Sequence, residues 1–222
     1  MSTGGFHLSD FKTLIANMPT DYHSSRAKHD KKWKSILART DAAGEALRSI
    51  FGSEKEVSVS RADLRVLAKE DNLEKFVMAT LLWGYPNGMR GKHVQNICDH
   101  ISDLTGLLKE TRATGITNWK EHWKQVKAIK GVALSTYTKF LSFIPATVSG
   151  HRALILDRRV NEVAKRKVFV EFVKTFSEIK YPKYLERMYQ IADEMDVPAE
   201  NLEFFLFLFG PDLKQTEETS TS

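Results

Sequence analysis

Cysteine and long apolar runs are scarce in this sequence. Cys98 is the only cysteine among 222 residues, which excludes an intramolecular disulfide, a Cys-rich zinc site and a four-cysteine iron–sulfur cluster. The longest apolar stretches, around 77–83 and 204–209, are too short to span a bilayer, and the first residues lack the charged-then-apolar layout of a secretory signal. We therefore expect a cytoplasmic protein with no membrane partner, no metal and no other cofactor.

The composition is typical of a globular chain with a weak preference for polyanions. With 42% hydrophobic residues the chain can build one domain or two packed lobes, and its formal net charge of +5 favours partners such as nucleic acid without requiring them. Residues 215–222 contain no apolar side chain, so we expect a disordered tail there. Residues 1–22 carry no clear pattern.

The spacing of apolar residues predicts an all-α fold, because they recur every three or four positions almost throughout. We expect a helical group over 24–51, a polar linker at 52–58, and a helix capped by Ser60 with Asp63 three positions on. An apolar stripe then ends at the Gly- and Pro-containing break 83–88. The remaining predicted helices are a long one with Val94, Ile97, Cys98, Ile101 and Leu104 inward, one over 117–130, and those starting near Asp157, Pro182 and Pro198.

The segment 129–141 is the most informative part of the sequence. Here a helix with a lysine stripe (Lys120, Lys124 and Lys127) meets a turn that contains Gly131, and an apolar helix follows. In such a helix-hairpin-helix arrangement, main-chain N–H groups of the turn and of the second helix point outward and can bind a phosphate without reading base sequence. The alternative is that Gly131 merely ends the first helix.

The features around this hairpin resemble a known family. A short apolar run, Asp157 and an amphipathic helix follow the hairpin, and upstream 79–86 form an apolar helix that ends in an aromatic loop. This order is similar to that of the helix-hairpin-helix DNA glycosylases, the superfamily of 8-oxoguanine glycosylase and endonuclease III. The resemblance covers about 73–164, and 202–210 resembles the closing helix of small bacterial 8-oxoguanine-glycosylase-like proteins.

The resemblance implies two helical lobes with a cleft for DNA and an extruded base between them. A central lobe would cover 73–149, and a terminal lobe 23–72 plus 150–213. The resemblance makes Asp157 the catalytic carboxylate and assigns DNA contacts to Lys127, Lys130, Gly131, Val132, Ala133, Ser135, Arg158 and Arg159. The resemblance places the base pocket at Trp83, Tyr85, Pro86 and Asn87.

Each of these roles has a plainer alternative. Asp157 stands where a helix N-cap is expected, because an aspartate there satisfies free N–H groups. Trp83 fits a core position, and the segment 86–88 fits a simple turn. Arg158 and Arg159 fit a solvated helix start.

Three features depart from the family pattern. Lys130 and Ala133 stand where the family hairpin has proline and glycine. Ser135 stands where members with lyase activity carry a nucleophilic lysine, so the sequence predicts base release without strand cleavage. Lys139, one helical turn after Ser135, can supply the amine from a displaced position. The alternative is that Lys139 is a solvated surface lysine. The 22 positions from Ser135 to Asp157 make a slightly longer spacer than usual.

These features together predict a DNA N-glycosylase that repairs DNA damage by base excision. A monomer would excise a damaged or modified base, in the family an oxidised purine, after the base flips out of double-stranded DNA. Asp157 would stabilise the positive charge that builds on the sugar. The alternative function is a non-catalytic nucleic-acid- or nucleotide-binding module, for instance in a bacterial defence system.

Overall fold

The computed structural model describes residues 5–29, 31–172 and 176–213. Within these ranges the chain forms twelve α-helices, three short 3-10 turns and two small antiparallel ribbons of two strands each. The predicted all-α class is confirmed. None of the helices in these ranges combines the length and apolarity that crossing a membrane requires. The tail predicted at 215–222 lies outside the described residues.

The chain divides into two compact units. One is Thr20–Ile155, and the other joins the chain up to Pro19 with the chain from Leu156 onward. The first, central unit contains β1 (Ser24–Lys28), α2 (Lys31–Leu37), α3 (Ala42–Phe51), β2 (Glu56–Ser60), α4 (Arg61–Leu67), α5 (Leu73–Gly84), α6 (His93–Asp99), α7 (Ile101–Thr114), α8 (Trp119–Ala128), α9 (Leu134–Phe143), β3 (Thr147–Val148) and β4 (His151–Arg152). The second, discontinuous unit contains α1 (Lys12–Ala16), α10 (Arg158–Lys165), α11 (Tyr181–Met195) and α12 (Ala199–Leu208).

Helix α5 is the centre of the central unit. All eight residues from Phe76 to Trp83 are buried, and α3, α4, α7, α9 and β1 pack around them. A helix that is apolar nearly all round has no solvent face and must be enclosed by its neighbours. This division places 23–72 with the central helices, whereas the sequence analysis assigned them, with 150–213, to a terminal lobe. The cleft expected between lobes stays a prediction.

The ribbon of β1 and β2 corrects the predicted helical group over 24–51. β1 pairs antiparallel with β2, from Ser24 opposite Ser60 to Lys28 opposite Glu56, so helix begins only at Lys31. The predicted linker at 52–58 therefore contains the start of a strand. Each strand buries a single apolar residue, Ala27 in one and Val59 in the other, which leaves almost no alternating pattern to detect.

Two helix predictions compare directly with the structure. Ser60 caps α4 as expected: its hydroxyl accepts from the Asp63 N–H, while the Asp63 carboxylate accepts from the Ser60 N–H. The predicted long helix is divided at His100 into α6 and α7. Its five predicted inward residues are nonetheless all buried.

The discontinuous unit ties the N-terminal segment to the last third of the chain. Phe6 pairs with Phe169 in a parallel bridge, and the Leu8 N–H donates to the Glu171 carboxylate at 3.0 Å. The ring of Phe11 lies 5.2 Å from that of Phe205 on α12. Burial of the apolar run 202–209 is less complete than its sequence predicts, because Phe209, just beyond the end of α12, is 41% exposed.

Candidate functional site

Two helices joined by a short turn, α8 and α9, lie where the hairpin is predicted. α8 ends at Ala128, the chain turns through 129–133, and α9 begins at Leu134. The Val132 N–H donates to the Ile129 carbonyl at 3.4 Å within this turn. Ala133 is the N-cap of α9 in an extended conformation, and its methyl side chain accepts no hydrogen bond. The turn thus presents backbone where α3, α4, α5, α8 and α10 present a capping side chain.

The turn packs so closely against α6 that only a glycine fits at position 131. Its φ is +91°, and a Cβ at this position would lie 2.5 Å from the His93 carbonyl oxygen and 3.1 Å from the Ile97 side chain. The C-cap of α8 is Ile129, two residues earlier, so Gly131 does more than end that helix. The contact brings the chain before α6, including Lys92, next to the hairpin turn.

The hairpin turn combines free N–H donors with exposed cations. The main-chain N–H groups of Leu134 and Ser135 make no hydrogen bond within the part of the chain that the structure describes. Lys127 and Lys130 are exposed beside them, as the sequence predicted. Lys92 is also exposed. The sequence analysis did not include Lys92 among the DNA-binding residues, because it is near the turn only through the contact between Gly131 and His93. Free donors at a helix N-terminus surrounded by positive charge bind anions.

A half-buried histidine, His122 of α8, is hydrogen-bonded to the buried Tyr137 of α9. His122 Nε2 lies 2.5 Å from the Tyr137 hydroxyl, and Trp123 packs against the Tyr137 ring at 6.2 Å. Burial lowers the pKa of His122 to about 4, and burial raises the pKa of Tyr137. Both groups are therefore neutral at pH 7, and the hairpin depends on an uncharged histidine.

Trp83, predicted for the base pocket, lies in the core. It is 5% exposed, and its Nε1 donates to the His23 carbonyl at 3.3 Å. The Arg61 guanidinium lies 5.5 Å from its ring centroid, and the edge of Phe143 packs at 5.3 Å. Burial and the charge of Arg61 lower the pKa of His23 to about 4. These contacts favour the core alternative for Trp83.

The loop after α5 carries the other three residues predicted for the base pocket. Tyr85 is half-buried, and its hydroxyl shares a 2.7 Å hydrogen bond with Thr136 Oγ1. The Pro86 carbonyl accepts from Trp33 Nε1 at 3.1 Å, and Asn87 is exposed. A cavity of about 40 Å³ beneath this loop is large enough for one water molecule but not for a base. Within the predicted set, Asn87 is exposed and Tyr85 and Pro86 are half-buried, whereas Trp83 lies in the core.

Lys139 corrects the alternative that treated it as a solvated surface lysine. It is 7% exposed, in a stretch of α9 that is buried from Thr136 to Leu141. Its Nζ donates to the Ser135 carbonyl at 3.0 Å and lies 5.5 Å from the Tyr85 ring centroid. The sequence does contain a signal for this: Lys139 is the one charged residue of α9.

Asp157 is the N-cap of α10, the alternative that the sequence analysis left open. Its Oδ1 accepts from the Val160 N–H at 3.1 Å, and the side chain is partly exposed. Oδ2 makes no hydrogen bond within residues 5–29, 31–172 and 176–213. One carboxylate oxygen thus has a structural role, and the other remains available for a ligand.

The two arginines after Asp157 differ in their surroundings. Arg158 is exposed, as expected for a solvated helix start. The Arg159 guanidinium lies 4.8 Å from the centroid of the Phe207 ring, so α12 restrains it. Arg158 is consequently the freer of the two for contact with a phosphate.

A known protein family matches most of the chain. Residues 21–207 match the family described as "Putative 8-oxoguanine DNA glycosylase OGG-like protein". The chain belongs to this family. No curated protein and no solved structure gives a significant match. The range matched to the OGG-like family includes the hairpin, Lys139 and Asp157.

We expect Gly131→Ala to lower the free energy of unfolding by about 2 kcal/mol or more, because the new Cβ meets the His93 carbonyl and φ is left-handed. Urea denaturation measures the change. Gly91→Ala is the matched control: Gly91 also has a positive φ, +57°, but no atom lies within 4 Å of the position that the new methyl group would take. Equal losses in the two variants would contradict close packing of the hairpin turn on α6.

We expect the stability of the protein to fall as the pH decreases from about 6.5 toward 4. The folded-state pKa values of His23 and His122, about 4, lie below the unfolded value of 6.5, so their contribution is complete above pH 6.5 and is lost on acidification. In His122→Gln, which keeps a polar group at the Nε2 position, the slope should shrink by roughly 1 kcal/mol per pH unit. Urea melts between pH 4.5 and 7.5 measure this, and an unchanged slope would show that His122 is not held neutral by burial.

Proposed function

We propose that this chain is a DNA N-glycosylase of the helix-hairpin-helix superfamily that excises a damaged or modified base from double-stranded DNA. An oxidised purine is the substrate class that the description of its family suggests. The observation that carries the proposal is the Asp157 carboxylate, fixed by Oδ1 at the start of α10 with Oδ2 available. The hairpin before it in the chain supplies an anion-binding turn of the kind that holds a DNA backbone.

The carboxylate of Asp157 suits the chemistry of base release. Cleavage of the bond between base and deoxyribose builds positive charge on the sugar, and a fixed carboxylate stabilises that charge. The hydrogen bond from the Val160 N–H fixes the orientation of the Asp157 side chain at the N-terminus of α10. Oδ2 can then face the sugar or orient the attacking water.

The hairpin suits binding of the DNA backbone. The free N–H groups of Leu134 and Ser135 can donate to one phosphate, and Lys127 and Lys130 add attraction that does not depend on base sequence. Gly131 keeps the turn against α6, which gives these donors a rigid support. Arg158 provides a further cation at the start of α10.

We assign recognition of the extruded base to the loop after α5. Tyr85 offers a ring on which a base can stack, and Asn87 offers an amide for its edge. Trp83 supports the loop from within the core. Ser135 has a hydroxyl group and no amine, so residue 135 itself provides no route to a covalent imine with the sugar.

A non-catalytic DNA- or nucleotide-binding module is the second candidate. The observation that favours it is Ser135 together with Ala133, which differ from the family hairpin while leaving its anion-binding N–H groups in place. Such a module, for example in a defence system, would bind DNA through the hairpin and release no base.

We expect Asp157→Asn to reduce base release on the order of 10²-fold or more, because the amide carries no negative charge for the transition state. The substrates are duplexes that each carry one damaged base, with 8-oxoguanine among them, and hot alkali converts each abasic product into a strand break. Asparagine is as good an N-cap as aspartate, so the melting temperature should change little.

Asp41→Asn is the control for removing the charge of another N-cap: Asp41 caps α3 through the Gly44 N–H and also pairs with Arg39. It should retain base release. If the wild-type protein binds the duplexes and releases no base from any of them, the glycosylase proposal is wrong and the binding module is favoured.

We expect replacement of Lys127 and Lys130 by alanine to weaken DNA binding equally for all sequences and to reduce the slope of log Kd against log salt concentration by about 1 per lysine. Fluorescence anisotropy with a labelled duplex at several salt concentrations measures this. Lys109→Ala, an exposed lysine on α7, is the control. An unchanged slope in the double variant would show that DNA does not contact the hairpin.

A further inference from the structure

An open cavity of about 590 Å³ lies in the central unit, where the ribbon of β1 and β2 meets the ends of α2 and α3. We call it the β1–β2 pocket; its lining comes from residues 28–29, 37, 48 and 51–55. Its volume falls within the range of about 300–1,000 Å³ that is usual for small-molecule sites. None of these residues belongs to the hairpin, to the loop after α5 or to α10, so the proposed glycosylase function does not use them.

One wall of the β1–β2 pocket is aromatic. His29 follows β1, and its N–H donates to the Lys55 carbonyl at 2.9 Å, so the antiparallel pairing continues past the end of the strand. Since side chains alternate along a strand, His29 is on the same face as the buried Ala27. Its ring is perpendicular to that of Phe51, with the centroids 5.8 Å apart. Phe51 is buried and His29 is exposed, so the histidine ring is supported from beneath and open to a ligand.

Arg48 is anchored at the edge of the pocket. Its Nη1 donates to the Leu37 carbonyl at 2.8 Å and also to the Arg39 carbonyl, which joins α3 to the end of α2. Its Nε and Nη2 make no hydrogen bond, and Arg48 forms no ion pair, within the part of the chain that the structure describes. The guanidinium is therefore held on one side and has donors available on the other. Such a planar group of donors matches the oxygens of a phosphate.

Positive charge exceeds negative charge in this pocket. Lys28, Arg48 and Lys55 line it, and Glu54 is the one carboxylate among its described lining residues. Lys28 is 3.6 Å from Glu56, whereas Lys55 takes part in no ion pair within residues 5–29, 31–172 and 176–213. A concave surface that carries mainly one sign of charge concentrates a ligand of the opposite sign. The β1–β2 pocket therefore favours an anion.

We propose that the β1–β2 pocket binds a nucleoside phosphate, either a free nucleotide or the terminal nucleotide of a DNA strand. The base stacks on the ring of His29, with Phe51 beneath, and the phosphate accepts hydrogen bonds from Arg48 and Lys55. An aromatic wall next to a cationic edge fits a ligand that is planar in one part and anionic in another. The proposal goes beyond the glycosylase function and does not depend on it.

Isothermal titration calorimetry of the full chain with the four deoxynucleoside monophosphates of DNA tests the proposal. We expect one-to-one binding. The corresponding nucleosides and inorganic phosphate should each bind at least about tenfold more weakly, because each makes only part of the contacts. The variant with Lys127 and Lys130 replaced by alanine should bind the monophosphates as the wild type does. In that variant, a short single strand with and without a 5′-phosphate distinguishes the two sources: tighter binding of the phosphorylated strand than of any monophosphate identifies the strand end.

Three variants complete the test. Lys55→Glu reverses an exposed charge that makes no side-chain contact within the described residues, so circular dichroism should show an unchanged fold while Kd for the monophosphate rises at least about tenfold. His29→Ala removes the stacking ring and should raise Kd severalfold. Lys109→Glu, on the exposed surface of α7, changes the net charge equally and should leave Kd unchanged.

Three results would overturn the proposal. They are no binding of any monophosphate, affinity for inorganic phosphate equal to that for the nucleotides, and a Kd in Lys55→Glu no higher than in Lys109→Glu. Asp157→Asn should bind the monophosphates as the wild type does, since Asp157 does not line the pocket. Failure of nucleotide binding is therefore distinguishable from failure of base release.

Discussion

The central unit depends on the burial of two helices, α5 and α9, that have almost no solvent face. Because α5 is apolar on all sides, every neighbouring element is required to cover it, including the ribbon and α3 from the first quarter of the chain. α9 is enclosed in the same way from Thr136 to Leu141. The contact between them is close enough that Gly84 cannot carry a side chain without displacing Lys139.

Polar groups inside this unit are therefore held in defined states. His23 and His122 are kept uncharged by burial, whereas the Arg61 guanidinium is placed over the face of the Trp83 ring. Lys139 is enclosed in the same unit, where the Ser135 carbonyl and the face of the Tyr85 ring are in contact with its amine.

The sequence predicted the features that local periodicity and capping control. The helical class, the five inward positions of α6 and α7, the capping box at Ser60 and the hairpin at Gly131 all follow from patterns a few residues long. The strand β1 was missed because a five-residue ribbon with one buried residue has no usable period. The burial of Lys139 was missed because the sequence signal, one charged residue in α9, does not show that Gly84 on α5 packs against its stem. For Asp157 the sequence offered a cap and a catalyst as alternatives, and the geometry of its two oxygens is compatible with both.

The discontinuous unit has a consequence for how the protein forms during synthesis. Its N-terminal segment packs through Phe6 on Phe169 and accepts a hydrogen bond from Asn201 at the Ala16 carbonyl, so these contacts join the two ends of the chain. A ribosome delivers residues in order, and domains fold as units while synthesis continues. The whole central unit is synthesised before the partners of the N-terminal segment emerge. Until those partners are synthesised, the aromatic side chains of the N-terminal segment stay exposed to solvent, although the central unit with Lys139 is already complete. A truncated product that ends after the central unit would lack the Asp157 carboxylate at the start of α10.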